Sequence, residues 1–565
     1  MRKIFLPWLL LPALAACASQ RPAELVFRNG PVYTMARAEP KVASVAVAQG
    51  RIVYAGSESG LSRWIGPRTQ VIDLRGRALL PGFHDSHVHL VEGGIALSEC
   101  RLSGLATQDQ VMAAVRRCVE QGSSSDWLRG SGWELPVFPA ANPHKSLLDS
   151  AVPDRPALLM GADGHSAWAN SRALALAGIT RETPDPPRGR IERDADGEPL
   201  GTLREAAVGL VSRVIPARTG KDYLEGLRRG LREAARLGIT SIQDAAVSEK
   251  DLRAYEELDR LGELTVRTVA ALRVDADKGL ADLPRLVALR RDIHGHRLRV
   301  LAAKLFVDGV IESHTAALLE PYLDTPGNRG PVNWEPETLD PMVAALDREG
   351  FQVHIHAIGD RAVRLSLDAF EKAIAANGRR DSRHQIAHLE LIDPQDIPRF
   401  RSLGVIANFQ AFWAIEDSYI KDLTVPVLGP ERSRWLYPLG SVARTGAVLA
   451  CGSDWPVTSL NPLDAIQVGV TRRDPAAGSG PAWLPDELVD RDAMLACFTR
   501  NGAFANFEET ATGTIEPGKA ADLIVLDRDP FTVPAAEIAR IRVLLTLLEG
   551  QETWRDPEPW DRIPK

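Results

Sequence analysis

Residues 81–89 read Pro81-Gly82-Phe83-His84-Asp85-Ser86-His87-Val88-His89, and the alternation at the end of this stretch governs how the rest of the chain is read. In an extended strand residues i and i+2 point to the same face, so His87 and His89 present two imidazoles to one side. Two such rings can share one metal ion. A histidine pair in a strand is equally met as packed, hydrogen-bonded side chains, and taken alone this pair leaves both readings open.

Working outward, a run from Ala78 to His89 is the first of eight strand candidates. The others are Ile239 to Asp244, Val266 to Leu272, Val300 to Val307, Phe351 to His356, Gln385 to Leu389, Val405 to Phe409 and Val448 to Cys451. Helical patterns lie between them: Tyr223 to Leu237 stops at Gly238, Pro336 to Glu349 at Gly350 and Pro394 to Leu403 at Gly404, each with glycine where a helix C-terminus favours it. Alternating strands and helices in this number predict an α/β fold, a (β/α)8 TIM barrel over residues 81–504. The first two strands are separated by roughly 150 residues, far beyond an ordinary strand-to-helix connection. A cap insertion over 95–225 is therefore expected above the barrel mouth, with a helix from Gln108 to Gln121 opened by a capping box at Thr107-Gln108-Asp109-Gln110.

Both ends of the chain read as short strands: Leu25 to Phe27, Val42 to Ala48, Arg51 to Ala55 and Val71 to Leu74 at one end, Ala521 to Leu526 and Val543 to Leu548 at the other. Neither set covers both faces of a sheet by itself. Segments 24–80 and 505–555 are expected to pair into one small β-sandwich domain.

The histidine pair gains meaning from the other strand ends, because in such a barrel the C-terminal ends of the strands surround one cavity. Strand five ends in His354-Ile355-His356, strand six carries His388, and strand eight runs into Cys451-Gly452-Ser453-Asp454. Strand four adds Lys304 within Ala303-Lys304-Leu305-Phe306. Burial lowers a lysine's pKa and frees the neutral amine, the form that captures carbon dioxide as a carbamate. An ion pair with Asp308 is the plainer alternative for this lysine.

The stretch 81–89, Lys304 with Asp308-Gly309, His356-Ala357-Ile358-Gly359-Asp360, the His388 segment, Gly452-Ser453-Asp454-Trp455-Pro456 and Gly513-Thr514-Ile515-Glu516-Pro517-Gly518-Lys519-Ala520-Ala521-Asp522 together resemble the amidohydrolase superfamily. The branch resembled is amidohydrolase family 3, the group similar to N-substituted formamide deformylase, and Asp163 to Ser171 is similar to a stretch of that branch. The resemblance implies a hydrolase of C–N bonds in amides, formamides or N-acyl compounds, acting by attack of a metal-bound hydroxide. It implies one or two divalent ions, zinc first among them. His87 and His89 would hold one ion together with Asp454, His356 and His388 a second, and carboxylated Lys304 would bridge them. Asp454 would also take the proton and hand it to the leaving nitrogen, and His165 would meet substrate or oxyanion from the cap. The competing reading is a catalytically inactive barrel that serves as a binding module.

Other residues near these motifs stay ambiguous. His354 is expected to support the ligands rather than join them, and His384 to be structural. Trp133, Glu134 and Trp168 in the cap, and Glu312 and His314 past strand four, are candidates for shaping the pocket.

The 565 residues carry 67 Lys+Arg against 74 Asp+Glu, and a net charge of −7 without a basic run offers nothing to a polyanion, so nucleic acid is excluded as a partner. Five cysteines make no disulfide scaffold. Arg2-Lys3, the apolar stretch Ile4 to Leu14 and Ala15-Ala16-Cys17 have the layout of an export signal. Leu14-Ala15-Ala16-Cys17 looks like a bacterial lipobox, which implies removal of residues 1–16, lipidation of Cys17 and an anchor in the cell envelope facing the periplasm. Ala18 after the cysteine favours the outer membrane, and an ordinary cleavable signal is the alternative. Cys100 and Cys118 in an exported cap are a disulfide candidate, or else two buried thiols. The expected partners are a small amide substrate, a membrane through the lipid anchor alone, and a second copy in a homodimer.

Overall fold

Gly82 divides the first strand run in two. The computed structural model, which describes residues 22–122, 126–477 and 480–558, has Ala78–Pro81 in one sheet and Phe83–Val88 in another. Pro81 contributes no N–H, and the Gly82 N–H turns to the Asp522 carbonyl at 2.9 Å. A Cβ on Gly82 would stand 2.2 Å from Thr240 Oγ1, so only glycine lets the chain pass from one sheet to the next here. The expected single strand from Ala78 to His89 is thus two strands meeting at a glycine. The expected export segment 1–16 and Cys17 lie outside the described residues.

From Gly82 onward the chain forms an α/β barrel of eight parallel strands. They are β1 (Phe83–Val88), β2 (Ile239–Val247), β3 (Arg267–Arg273), β4 (Leu298–Phe306), β5 (Gln352–Ala357), β6 (Gln385–His388), β7 (Ile406–Phe409) and β8 (Leu449–Cys451), paired in chain order. Most strand residues are buried, as expected where helices cover the outside and side chains fill the inside. The last strand returns to the first where the Asp454 N–H donates to the His87 carbonyl at 2.8 Å. Gly452 permits this approach, since a Cβ there would sit 2.5 Å from the His87 backbone nitrogen.

The covering helices follow the sequence signals with shifts at their ends. Gly220–Arg236 starts on a full capping box between Thr219 and Asp222, and Pro336–Arg348 starts on proline, whose missing N–H costs nothing in a first turn. The helix expected from Pro394 begins at Ile397 instead. Asp393 accepts the Gln395 N–H at 2.8 Å, and this local turn competes with helix over those residues.

The two chain ends share a core. One sheet joins Leu25–Arg28, Ser44–Ala48, Arg51–Gly56 and Gln70–Asp73; the other joins Val32–Tyr33, Lys41–Val42 and Ala78–Pro81 to Leu523–Leu526, Val543–Leu548 and Gln551–Arg555. Leu523 to Leu526 run antiparallel to Ala78 to Pro81, and Phe27, Val45, Ile72, Leu79, Val525 and Leu545 pack between the sheets.

The long insertion contains a six-stranded mixed sheet from Cys100 to Glu205, which periodicity did not suggest. Its helix is Gln108–Glu120, and Thr107 accepts the Gln110 N–H. The expected capping box is only half formed, because the Gln110 side-chain oxygen accepts the Ala106 N–H at 2.9 Å rather than that of Thr107. A Cys100–Cys118 disulfide ties this helix to the edge of the sheet. Cys451 and Cys497 are buried free thiols. Among the described residues no helix is long and apolar enough to cross a membrane.

Candidate metal centre and active-site cleft

Three predicted residues meet at the barrel mouth. His87 Nε2, His89 Nε2 and Asp454 Oδ1 lie within 4.8 Å of one another, with Asp454 Oδ1 at 3.2 Å from His87 and 3.1 Å from His89. The strand alternation of β1 delivers both rings, and the turn after β8 delivers the carboxylate. Asp454 adopts φ 53, and His388 φ 80. Left-handed backbone at non-glycine residues costs roughly 1–3 kcal/mol each and is concentrated at functional sites, so the fold is holding these two against local preference.

Lys304, His356 and His388 stand around the same centre. All three are buried, the His356 and His388 rings are 4.4 Å apart between centroids, and His388 is 4.8 Å from His87. Trp413 stacks flat on His388 at 5.5 Å. Lys304 does not pair with Asp308. The Asp308 carboxylate instead accepts backbone N–H groups of Ala317, Ile358 and Gly359 at 2.9 to 3.0 Å, pinning the loop after β5.

The electrostatics suit a cation. Burial pushes the Lys304 ammonium down to about 7, with the Asp454 carboxylate pulling the other way. Burial alone would raise the Asp454 carboxyl, yet the close His89 ring and the nearby His388 and Lys304 hold it below its ordinary value. His87, His356 and His388 are all lowered, chiefly by burial, and are neutral rings with lone pairs to offer. His87 Nε2, Asp454 Oδ1 and Lys304 Nζ are buried polar atoms with no hydrogen-bond partner. Orphaned donors and acceptors converging on one point are what a metal centre requires of its protein, and N/O ligands of this kind fit zinc and similar divalent ions.

His354 supports His87 through a chain of buried amides. Gln352 Nε2 donates to the Arg383 and Ala505 carbonyls at 2.7 and 2.8 Å, which fixes its amide orientation because carbonyls only accept. Gln352 Oε1 therefore accepts from Gln243 Nε2 at 2.7 Å, and Gln243 Oε1 accepts from His354 Nδ1 at 2.7 Å. His354 Nε2 is then the lone pair that accepts from His87 Nδ1 at 2.9 Å, leaving His87 Nε2 unprotonated and aimed at the centre. Gln385 and Asn408 extend the network. A shorter version holds His356, whose Nε2 donates to the Gly309 carbonyl at 3.1 Å and leaves Nδ1 as its lone pair.

The remaining candidates divide between the site and the scaffold. His165 reaches down from the cap to within 5.2 Å of the His356 ring, its Nδ1 3.0 Å from Glu205. Burial would lower its pKa, but the Glu205 carboxylate overrides this and lifts it to about 9, so His165 is an imidazolium at neutral pH. A cleft of about 1010 Å³ opens beside the centre, lined among others by Glu134, Glu312, Glu390, Trp413, Tyr437 and Trp455. Trp133 and Trp168 belong instead to the cap core, donating to the Leu159 and His144 carbonyls. His314 pairs with Asp324 at 2.9 Å, and His384 is held between Val353 and Asp347. Sequence reasoning missed Glu205, Glu390, Trp413 and the four amides. The amides carried a usable signal, since each is an uncharged polar residue inside a segment that reads as a barrel strand.

The amidohydrolase family profile matches residues 70–553. "Protein LONG AFTER FAR-RED 3" of Arabidopsis thaliana is 33% identical over 543 residues, 94% of this chain and 92% of that protein. The N-substituted formamide deformylase of Arthrobacter pascens is 28% identical over 93% of this chain and 97% of its own. A solved structure of an uncharacterized metal-dependent hydrolase from Pyrococcus horikoshii OT3 superposes with a TM-score of 0.72 at 27% identity, covering 90% of this chain and 99% of the other.

Proposed function

The chain belongs to the amidohydrolase family, and from that membership we propose that it is a metal-dependent hydrolase of C–N bonds in amides, formamides or N-acyl compounds. The observation that carries the proposal is the convergence of His87 Nε2, His89 Nε2 and Asp454 Oδ1 within 4.8 Å, backed by an orphaned Lys304 amine. The deformylase from Arthrobacter pascens, whose name specifies N-substituted formamides, supports the choice of bond.

His87, His89 and Asp454 would hold one divalent ion, most simply zinc, with His356 and His388 available to a second. We propose that Lys304 is carboxylated: its neutral amine forms an N–C bond to carbon dioxide and releases one proton, turning a buried neutral amine into an anion whose oxygens would serve as further ligands. A bound divalent ion supplies Lewis acidity and lowers the pKa of water to about 7. Asp454 accepts the proton of the attacking water at a carboxylate oxygen and delivers it to the departing nitrogen. His165 offers its charged ring N–H to the carbonyl oxygen as negative charge develops there, while Glu205 holds the ring in place. The cap above excludes water from the bond being broken.

The amide is a small molecule taken up in the cleft. We further propose that the mature chain is exported and anchored through a lipid on Cys17 in the outer membrane; Cys17→Ser should move the protein from the membrane to the soluble fraction. Metal analysis of the purified protein, followed by hydrolysis assays over formamides, N-acyl amino acids, dipeptides and cyclic amides, tests the main proposal. Bound transition metal with chelator-sensitive turnover is expected. A protein that binds no transition metal and hydrolyses nothing after zinc addition is a binding module instead.

A further inference from the structure

The cleft beside the metal centre has a lopsided wall. Seven carboxylates line it against two arginines, Arg101 and Arg236, and Arg236 is already paired with Glu233 at 2.8 Å. Several of the acids have structural work. Glu134 accepts from the Tyr419 hydroxyl at 3.0 Å, Asp163 accepts the Ser166 hydroxyl and the His165 N–H, and Asp417 accepts the Ile420 N–H.

Glu312 and Glu390 are different. One Glu312 oxygen accepts from Thr424 Oγ1 at 3.0 Å. Glu390 is only 3% exposed, lines the cleft, and its Oε1 has no hydrogen-bond partner. Burial raises both carboxyls, the Glu312 charge raises Glu390 further, and among the described residues no lysine or arginine forms an ion pair with either. The Tyr437 hydroxyl bonds the Glu390 carboxylate, which leaves Oε1 as the open oxygen, and a buried carboxylate without a counter-charge is costly unless something supplies that charge. The neighbouring lining is aromatic, with Phe412, Trp413, Tyr437 and Trp455. Aromatic faces attract weakly hydrated organic cations through the ring quadrupole and offer no lone pairs to a divalent ion.

We propose that Glu312 and Glu390 form a subsite for an organic cation, an alkylammonium group carried by the substrate. Glu390 stands two residues beyond His388, so this group would bind at the mouth of β6, beside the reacting bond. The proposal rests on the hydrolase reading for its consequence, a preference for cationic amides, but not for the binding itself.

The test uses the full protein, metal-free and zinc-loaded, with choline as cationic probe and 3,3-dimethylbutan-1-ol as its uncharged isostere, titrated by calorimetry and tryptophan fluorescence. Choline should bind at least tenfold more tightly, and Glu312→Gln and Glu390→Gln should each erase most of that difference. Equal binding of the two probes to the unaltered protein overturns the subsite, whether or not the variants fold. A difference that survives both substitutions also overturns it. In parallel, N-(2-trimethylammonioethyl)formamide should exceed N-(3,3-dimethylbutyl)formamide in kcat/KM by tenfold or more. If choline is selected but neither formamide is cleaved, the subsite stands and formamide hydrolysis fails; if both are cleaved equally and choline is not selected, the reverse holds.

Discussion

Replacing Gln243 by methionine tests whether the amide chain prepares the metal centre. Methionine is close to glutamine in length and shape, so it keeps the packing between β2 and β5 while removing the acceptor for His354 Nδ1 and the donor to Gln352 Oε1. His87 can present Nε2 as a lone pair only if its Nδ1–H finds an acceptor, and that acceptor is His354 Nε2 at 2.9 Å. Without Gln243, His354 must leave a buried Nδ1–H unsatisfied in order to stay in that tautomer. The penalty for such a group is roughly 1–3 kcal/mol, or roughly 5- to 150-fold in metal affinity. Zinc affinity of the metal-free protein, measured by competition with a chromophoric chelator, should fall by a factor in that range while circular dichroism is unchanged. Gln243→Glu should recover most of the affinity, because a buried carboxyl kept protonated can accept from His354 and donate to Gln352 as the amide does. A folded Gln243→Met protein that binds zinc within twofold of the parent would refute the tautomer argument.

Four further outcomes follow from the site. Lys304→Ala should lose metal and activity together, with partial rescue by formate, acetate or propionate occupying the vacated space; unchanged metal content would count against a ligand role. Asp454→Asn should keep the fold and lose turnover by roughly 100- to 10,000-fold, the usual contribution of a positioned acid–base group, and full activity would remove it from proton transfer. Cys118→Ser opens a link across 18 residues and should cost the cap about 3 kcal/mol, seen as faster hydrogen exchange over Gln108–Glu120 with the barrel strands unaffected. Because Glu205 raises His165 to about 9 against an ordinary value of about 6.5, its contribution to stability is complete at acidic pH and lost as pH rises through 9. The melting temperature should therefore fall more steeply between about pH 6.5 and 9 in the parent than in His165→Gln, and equal slopes in that window would contradict the pairing.

The barrel was legible because its strands are bounded by glycine and proline and its candidate ligands sit at strand ends, where alternation fixes direction. His87, His89, Lys304 and His356 all follow that rule. The cap sheet was not legible because several of its strands carry weak patterns: Gly189–Arg193 has a single buried residue, Leu128–Trp133 carries two glycines, and Cys100–Arg101 is two residues long. Gly189–Arg193 pairs in a local hairpin with Pro199–Glu205, while Leu128–Trp133 takes its conformation beside Ala157–Gly161, further along the chain. The same holds for Gly82, whose role depends on Thr240 lying 2.2 Å from where its side chain would begin.

Glu390 shows why a specificity residue resists this kind of reading. His388 and Leu389 have φ values of 80 and 55, so the backbone leaves the strand in a left-handed turn just before it. Alternation cannot be extended through two such residues, and counting from His388 says nothing about where a side chain two positions later will point. The hydrogen bond from the Tyr437 N–H to the Glu390 carbonyl at 2.7 Å settles the path of the chain, and Tyr437 itself has φ 46. The candidate ligands thus come from strand ends and the residues just after them, whereas Glu390 and its neighbours come from loops locked by tertiary contacts. Chemistry common to the family can be inscribed in the first while substrate preference varies in the second, which is why the candidate ligand positions could be named from motifs at strand ends and Glu390 could not.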